Sequence, residues 1–507
     1  MKALTHKMLP LCLMLSLMVS HGSAAADAVH APRSNLLQDS KTSASLTPKV
    51  ATAASLATAT LPLGVTLRDI DGGPQYFANK DSRSAWMDGH ILLGAWLEQP
   101  VDATQVGYAV AMGENIYWNL AGVAGDPTQM RADYDVIRAA GMHVSAPDTT
   151  SNSGSETVSY DGWDEADMQY GAGANGWNPA APNNNLNDCI PAGSECGYTV
   201  SKWSYTGLPT SYGSPGYPID SMAKHQGYGK GVLFWMWDSE AAVFLGYSDI
   251  LSADSYWMTD SDLEANSQGG CAFFPSSESI CYGANPTGLT HDQRALPANY
   301  AFNVTRLQTL SNTLNHQSKP VVVDVETGCP VSGGTECITP PAMQAAAMHG
   351  LIAGARGILW FQHNFGGPCT DNTTLIDGSD PTTSDYSCQQ TPGVTIHNVV
   401  QSVTAFNQLV NSLNNVLLSP FADGYVSQTG NVSAMAKFDG SHFYVFAASG
   451  TPATPPLANQ SVTFTVKSSG ATTVTVVNEG RTIPLVNGTT FTDTFADANA
   501  YHIYRLD

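Results

Sequence analysis

The chain of 507 residues reads as an α/β protein, a (β/α)8 TIM barrel followed by a small antiparallel β-sandwich. Three observations carry that reading. From residue 61 to residue 417, short apolar runs alternate with helix-periodic stretches, the pattern of a parallel sheet with crossover helices. One of these runs, KPVVVDVETG at 319–328, is an apolar strand that ends in carboxylates, and parallel α/β proteins do their chemistry at that end of their strands. From about residue 418, short Val/Thr/Phe/Tyr runs between Gly, Asn and Pro turns take over, as in a β-sandwich.

Residues 1–26 have the form of a secretory signal. Lys2 and Lys7 precede an apolar core at 8–19, and Ala24, Ala25 and Ala26 make the cleavage site. That core is too short to span a bilayer, so an exported protein without a membrane span is expected. Residues 27–60 are Ala/Ser/Thr-rich and read as a flexible linker. Eight strands are then expected: 90–96, 115–120, 141–147, 158–163, 231–237, 249–256, 319–328 and 357–363. Helices are expected between them, at 130–140, 219–225, 298–315 and 341–354, and a last one at 397–417 closes the unit. In the sandwich, strands are expected at 434–438, 442–447, 462–466, 473–477, 491–495 and 501–504.

Acidic residues exceed basic ones by 43 to 21, a formal charge of −22. Nucleic acid is therefore excluded as a partner, because phosphate contacts demand a basic face. Only 13% of residues are charged while Trp and Tyr are plentiful, a mix suited to neutral polar ligands. Apart from Cys12 in the signal, the cysteines fall into sequential pairs: Cys189 with Cys196, Cys271 with Cys281, Cys329 with Cys337, and Cys369 with Cys388. No C-x-x-C occurs and no His stands at zinc-ligand spacing, so disulfides are expected and no metal or cofactor. Sequential pairing is the simplest connectivity. The run GAGANG at 171–176 spells a dinucleotide fingerprint but opens no helix, so it is set aside.

Acids at the expected strand ends alternate with aromatics. Glu98, Asp148, Glu165, Asp238, Glu240, Asp254 and Glu326 stand among Trp96, Trp163, Tyr256 and other rings. Carboxylates beside aromatic platforms suit sugar chemistry, since glycosidic cleavage needs one carboxylic acid and one carboxylate flanking the bond. Within KPVVVDVETG, Asp324 and Glu326 share one parity and Val321, Val323 and Val325 the other, which aims the acids at the barrel axis. Trp96, Asn119, Trp163, Asp238, Glu240, Asp254, Tyr256 and His363 are the candidates for holding sugar, with Glu240 in reserve as an acid.

The strand-four acid, the Glu ending strand seven, the segment GARGILWFQHNFG at 354–366 and the trailing sandwich together resemble the clan of retaining (β/α)8 glycoside hydrolases. The resemblance implies that Glu165 is the acid/base and Glu326 the nucleophile of a secreted enzyme acting on a poly- or oligosaccharide. Asp164 stands where that clan carries Asn. A second reading stays open, a non-catalytic carbohydrate-binding or surface protein on a degenerate barrel, which requires that Glu165 and Glu326 do not flank one bond.

Overall fold

The computed structural model describes residues 51–56, 60–96, 98, 102–118, 127–146, 154–161, 219–222, 249–253, 255–259, 289–314, 316–329, 336–362, 364, 366–369 and 375–507. These form a mixed α/β protein with one parallel sheet and several antiparallel ones. After β1 (Thr66–Arg68), the strands of the parallel sheet are β2 (Leu92–Trp96), β3 (Ile116–Trp118), β4 (His143–Ala146), β5 (Thr157–Asp161), β6 (Ile219–Met222), β7 (Ile250–Ser252), β8 (Val322–Glu326) and β9 (Gly357–Phe361). Their order is β7-β6-β5-β4-β3-β2-β9-β8. A parallel bridge from Leu251 to Val321 joins β7 to β8, the two end strands of that order, and Leu251 N–H donates to Pro320 O at 2.9 Å.

The described helices are α1 (Ala103–Ala111), α2 (Pro127–Ala139), α3 (His291–Arg294), α4 (Tyr300–Leu314), α5 (Pro340–Ile352), α6 (Leu375–Ser379), α7 (Ile396–Ser412) and α8 (Asn414–Leu417). Their starts follow local chemistry. The Asp102 carboxylate accepts from Thr104 N and Gln105 N to cap α1, Thr395 and Asn398 cap each other at α7, and Pro340 opens α5 where no amide donor is needed.

Period-two alternation sorts the sheet's side chains. Leu93, Ala95, Tyr117, Val323, Val325 and Trp360 pack with the helices. Leu92, Ile116, Trp118, Val322 and Phe361 share a second cluster on the opposite face, where Phe77 and Met87 of the N-terminal segment join them. Two glycines permit close approach. A Cβ on Gly94 would stand 1.8 Å from Ile116 O, and one on Gly350 would meet Val323 at 2.6 Å.

Behind β9 the short hairpin β10 (Gln389–Thr391) and β11 (Val394–Thr395) precedes α7. The C-terminal strands are β12 (Phe421–Asp423), β13 (Val426–Gln428), β14 (Val432–Phe438), β15 (Phe443–Ser449), β16 (Gln460–Val466), β17 (Thr473–Val476), β18 (Arg481–Pro484), β19 (Thr490–Phe495) and β20 (Tyr501–Leu506). They make an antiparallel sheet ordered β1-β12-β14-β15-β20-β17-β18 and a second ordered β13-β16-β19. Val445 and Tyr504 of the first share a core with Phe464 and Phe491 of the second. Phe446 and Ile503, on the other face of the first sheet, belong to the helix-side core. Each large apolar side chain so buried contributes about 1.5–3 kcal/mol.

Several expectations need correction. Residues 219–225 were expected to be helical, but Ile219–Met222 is the strand that sits between β5 and β7. Inter-strand hydrogen bonds on both sides overrule the weak local signal of a short, half-polar run. The expected strand at 231–237 lies outside the described residues, and the strand filling that place ends well before Asp238 and Glu240. Thr66–Arg68, inside the span expected to be barrel, pairs instead with Phe421–Asp423 in the C-terminal sheet. Cys329–Cys337 and Cys369–Cys388 are disulfide-bonded, while Cys189, Cys196, Cys271 and Cys281 lie outside the described residues. Among the described residues no helix is long and apolar enough to cross a membrane.

Candidate functional site

The site is built from the last residue of β8 outward. Val321, Val323 and Val325 pack toward the helices and Val322 toward the opposite face, so Asp324 and Glu326 share the side of Val322. The parallel register then continues Glu326 into a row of rings. Its partner on β9 is Phe361, the partner of Phe361 on β2 is Trp96, and that of Trp96 on β3 is Trp118. Tyr256, just beyond β7, comes within 5.3 Å of the Phe361 ring, centroid to centroid. A carboxylate at one end of a shelf of aromatics is the result.

Glu326 is 1% exposed and its charge is met by donors. Met258 N–H donates to Oε1 at 2.8 Å, the Tyr300 hydroxyl donates to the same oxygen, and the Thr259 hydroxyl donates to Oε2. An ionised carboxylate offers about four acceptor positions, so among the described residues these three leave one, on Oε2. Burial pushes the Glu326 pKa up to about 7, against the opposing pull of Thr259, Tyr300, Met258 N–H and the Arg294 charge. Tyr300 is held well above the usual phenol range by burial and by the Glu326 charge, so it stays a donor. Asp324, one layer below, is also buried and adds to the field that keeps Tyr300 protonated.

The two donors from the turn at 255–259 are themselves fixed. Trp257 Nε1–H donates to Asn303 Oδ1 at 2.9 Å. Arg294, with no exposed surface, donates from Nη1 to Trp257 O at 2.9 Å. Its Nη2 pairs with Glu336 Oε2 at 2.6 Å, beside the Cys329–Cys337 disulfide.

Of the residues expected to build a site, the structure brings together Trp96, Tyr256 and Glu326. Asn119, Trp163, Glu165, Asp238, Glu240, Asp254 and His363 lie outside the described residues. Glu98, named among the strand-end acids, is paired with Glu114 beside Tyr117, all three buried. Burial raises the Glu98 pKa to about 8 and drives Glu114 well above the carboxylate range, with the Glu98 charge adding to it. The burial of both carboxyls outweighs the Ile376 N–H that favours the Glu98 charge, so the pair keeps its protons. Trp360 packs on the helix side and donates to Asn407 Oδ1 at 3.1 Å. Among the described residues no cluster of three or more His, Cys, Asp or Glu is placed to hold a metal.

Sequence reasoning missed Thr259, Arg294, Tyr300 and Phe361. Only Phe361 had a visible signal, as an aromatic at the end of an expected strand. The other three reach the site through loops and helix starts with no motif of their own.

No family model matches the chain, and no curated protein matches it. Among solved structures it is similar to a GH30 endoxylanase from Clostridium papyrosolvens, at 12% identity over 88% of this chain and 98% of that one, with a TM-score of 0.40. It is also similar to a GH42 beta-galactosidase from G. stearothermophilus, at 8% identity, 82% and 98% coverage and a TM-score of 0.41. An alpha-amylase from Geobacillus thermoleovorans gives 9% identity, 82% and 98% coverage and a TM-score of 0.38.

Proposed function

We propose that this chain is a secreted glycoside hydrolase that cleaves a poly- or oligosaccharide by double displacement, on a (β/α)8 barrel at 61–417 with a β-sandwich at 418–507. The observation that carries the reading is Glu326: a buried carboxylate at a strand's C-terminal end, next to Phe361 in the row of rings. Sugar rings stack their C–H faces on such a shelf, and a carboxylate at its end meets the anomeric carbon. The bridge between Leu251 and Val321 supports a closed barrel, and the two disulfides support export.

In this mechanism Glu326 attacks through Oε2, the oxygen with an acceptor position left. Oε1 becomes the ester carbonyl and keeps the Met258 N–H and Tyr300 hydroxyl as donors. Glu165 protonates the leaving oxygen and then draws the proton from the water that opens the ester. The two carboxyls must stand ~5–5.5 Å apart for this, against ~6.5–9.5 Å in an inverting enzyme. Trp96, Trp163 and Tyr256 are the stacking platforms in this reading. Asn119, Asp238, Glu240, Asp254 and His363 are the candidates for sugar hydroxyls.

A second reading, a non-catalytic carbohydrate-binding protein on a degenerate barrel, draws on the near-complete burial of the same carboxylate. Hydrolysis of a polysaccharide panel by wild type, Glu326→Gln and Glu165→Gln separates the two. Product from wild type, with ~10²-fold or greater loss in each variant, is expected. Glycan binding without release by any of the three would sink the hydrolase reading.

A further inference from the structure

Among the described residues Glu326 touches neutral donors alone, yet a full positive charge is buried behind them. Arg294, at the end of α3, has its guanidinium sealed from solvent, and Nη1 grips Trp257 O at 2.9 Å. The next two residues of that turn, Met258 and Thr259, supply two of the three donors to Glu326. The same guanidinium also meets Glu336 through Nη2 at 2.6 Å and lies 3.1 Å from His291 Nδ1. Glu336 is partly exposed and adjoins Cys337, which is disulfide-bonded to Cys329.

We propose that Arg294 is a positioning residue for Glu326: it fixes the donor turn against the carboxylate, and its charge, tempered by Glu336, sets how much of Glu326 is ionised. The inference rests on Glu326 being the group that acts. A plain structural staple is the competing role, and charge separates the two. Among the described residues, the charged or titratable groups around Glu326 are Asp324 on its own strand, Tyr300 on α4 and Arg294 on α3. Glu336 and His291 lie on the far side of the arginine. Removing Arg294 takes a cation away from the two acids and the phenol and disfavours the ionised form. Removing the Glu336 charge takes a compensating carboxylate away from the cation and favours it. A staple loosened at either end would lose donors in both cases, and both changes would then push Glu326 the same way.

The test is the ionisation of Glu326 in Arg294→Met, Arg294→Lys and Glu336→Gln, read from the ¹³C carboxyl resonance that disappears in Glu326→Gln. That readout does not need turnover, so it stands apart from the panel assay. Arg294→Met is expected to raise the titration midpoint by about one pH unit, Arg294→Lys by less, and Glu336→Gln to lower it. If the hydrolase reading also holds, kcat/KM of Arg294→Met falls about tenfold at pH 5.5 and stays near wild type above pH 9. An unchanged midpoint in folded Arg294→Met, or an upward shift in Glu336→Gln, overturns the proposal. Glu336→Gln decides alone if the arginine variants fail to fold. Shifted midpoints with no hydrolysis by wild type would keep the control of Glu326 by Arg294 and remove the reading of Glu326 as the group that acts.

Discussion

His349 offers the sharpest stability test in the molecule. It lies on α5 with no exposed surface, where Nε2–H donates to Ser449 O of β15 at 3.0 Å. Its Nδ1 is buried and makes no hydrogen bond among the described residues. Protonation would create a second N–H there with no acceptor, and burial accordingly pushes the pKa down to about 4. In the unfolded chain the ring takes its proton near 6.5. The folded form therefore loses stability as pH falls from about 6.5 toward 4 and keeps it fully above 6.5. At roughly 1.4 kcal/mol per pH unit, the gap between about 4 and about 6.5 comes to about 3 kcal/mol. His349→Gln keeps a donor for Ser449 O and cannot take up a proton in this range. Urea unfolding of both proteins at pH 7.5 and pH 4.5, which spans most of that gap, should show wild type losing about 2.5 kcal/mol more than the variant between the two. Equal losses would refute the reasoning, whatever the variant's absolute stability.

Two further perturbations follow from burial. Because Glu98 and Glu114 hold their protons in the folded state, this pair costs stability progressively as pH rises from about 4.5 through about 8; Glu114→Gln should raise Tm at pH 9 and change it little at pH 5, in thermal scans. Gly350→Ala drives a methyl into Val323, at 2.6 Å, and should cost about 1–3 kcal/mol in chemical denaturation as α5 is pushed off β8.

Much of the parallel sheet was legible because its strands carry two signals at once. In 321–326 the valines at odd positions and the acids at even ones specify both a strand and the direction in which Glu326 faces. The run at 357–361 is apolar throughout and is buried on both faces. Ile219–Met222 had neither signal, and only the flanking strands make it a strand. β1 was invisible for a related reason: three residues acquire a conformation from a partner far along the chain. The surroundings of Glu326 were the least readable part. Thr259 reaches it across 67 residues and Tyr300 across 26, and a lone Thr or Tyr does not announce a carboxylate it has yet to meet. Parity within one strand can be read along a line of text, whereas a constellation assembled from a turn and two helices cannot.

The strand β15 is buried at every position. Its even-numbered residues Tyr444, Phe446 and Ala448 belong to the core shared with the helices. Its odd-numbered Val445 and Ala447 belong to the core between the two antiparallel sheets. One seven-residue segment is thus the common wall of two interiors, and His349 ties α5 to its end. Along β15 the helical part and the C-terminal sheets have no seam at which to come apart. Cutting the chain before residue 418 would strip a wall from the helical part and expose its apolar side to water, and the released C-terminal sheets would show the same wound. The C-terminal sheets are in this sense masonry shared by two rooms.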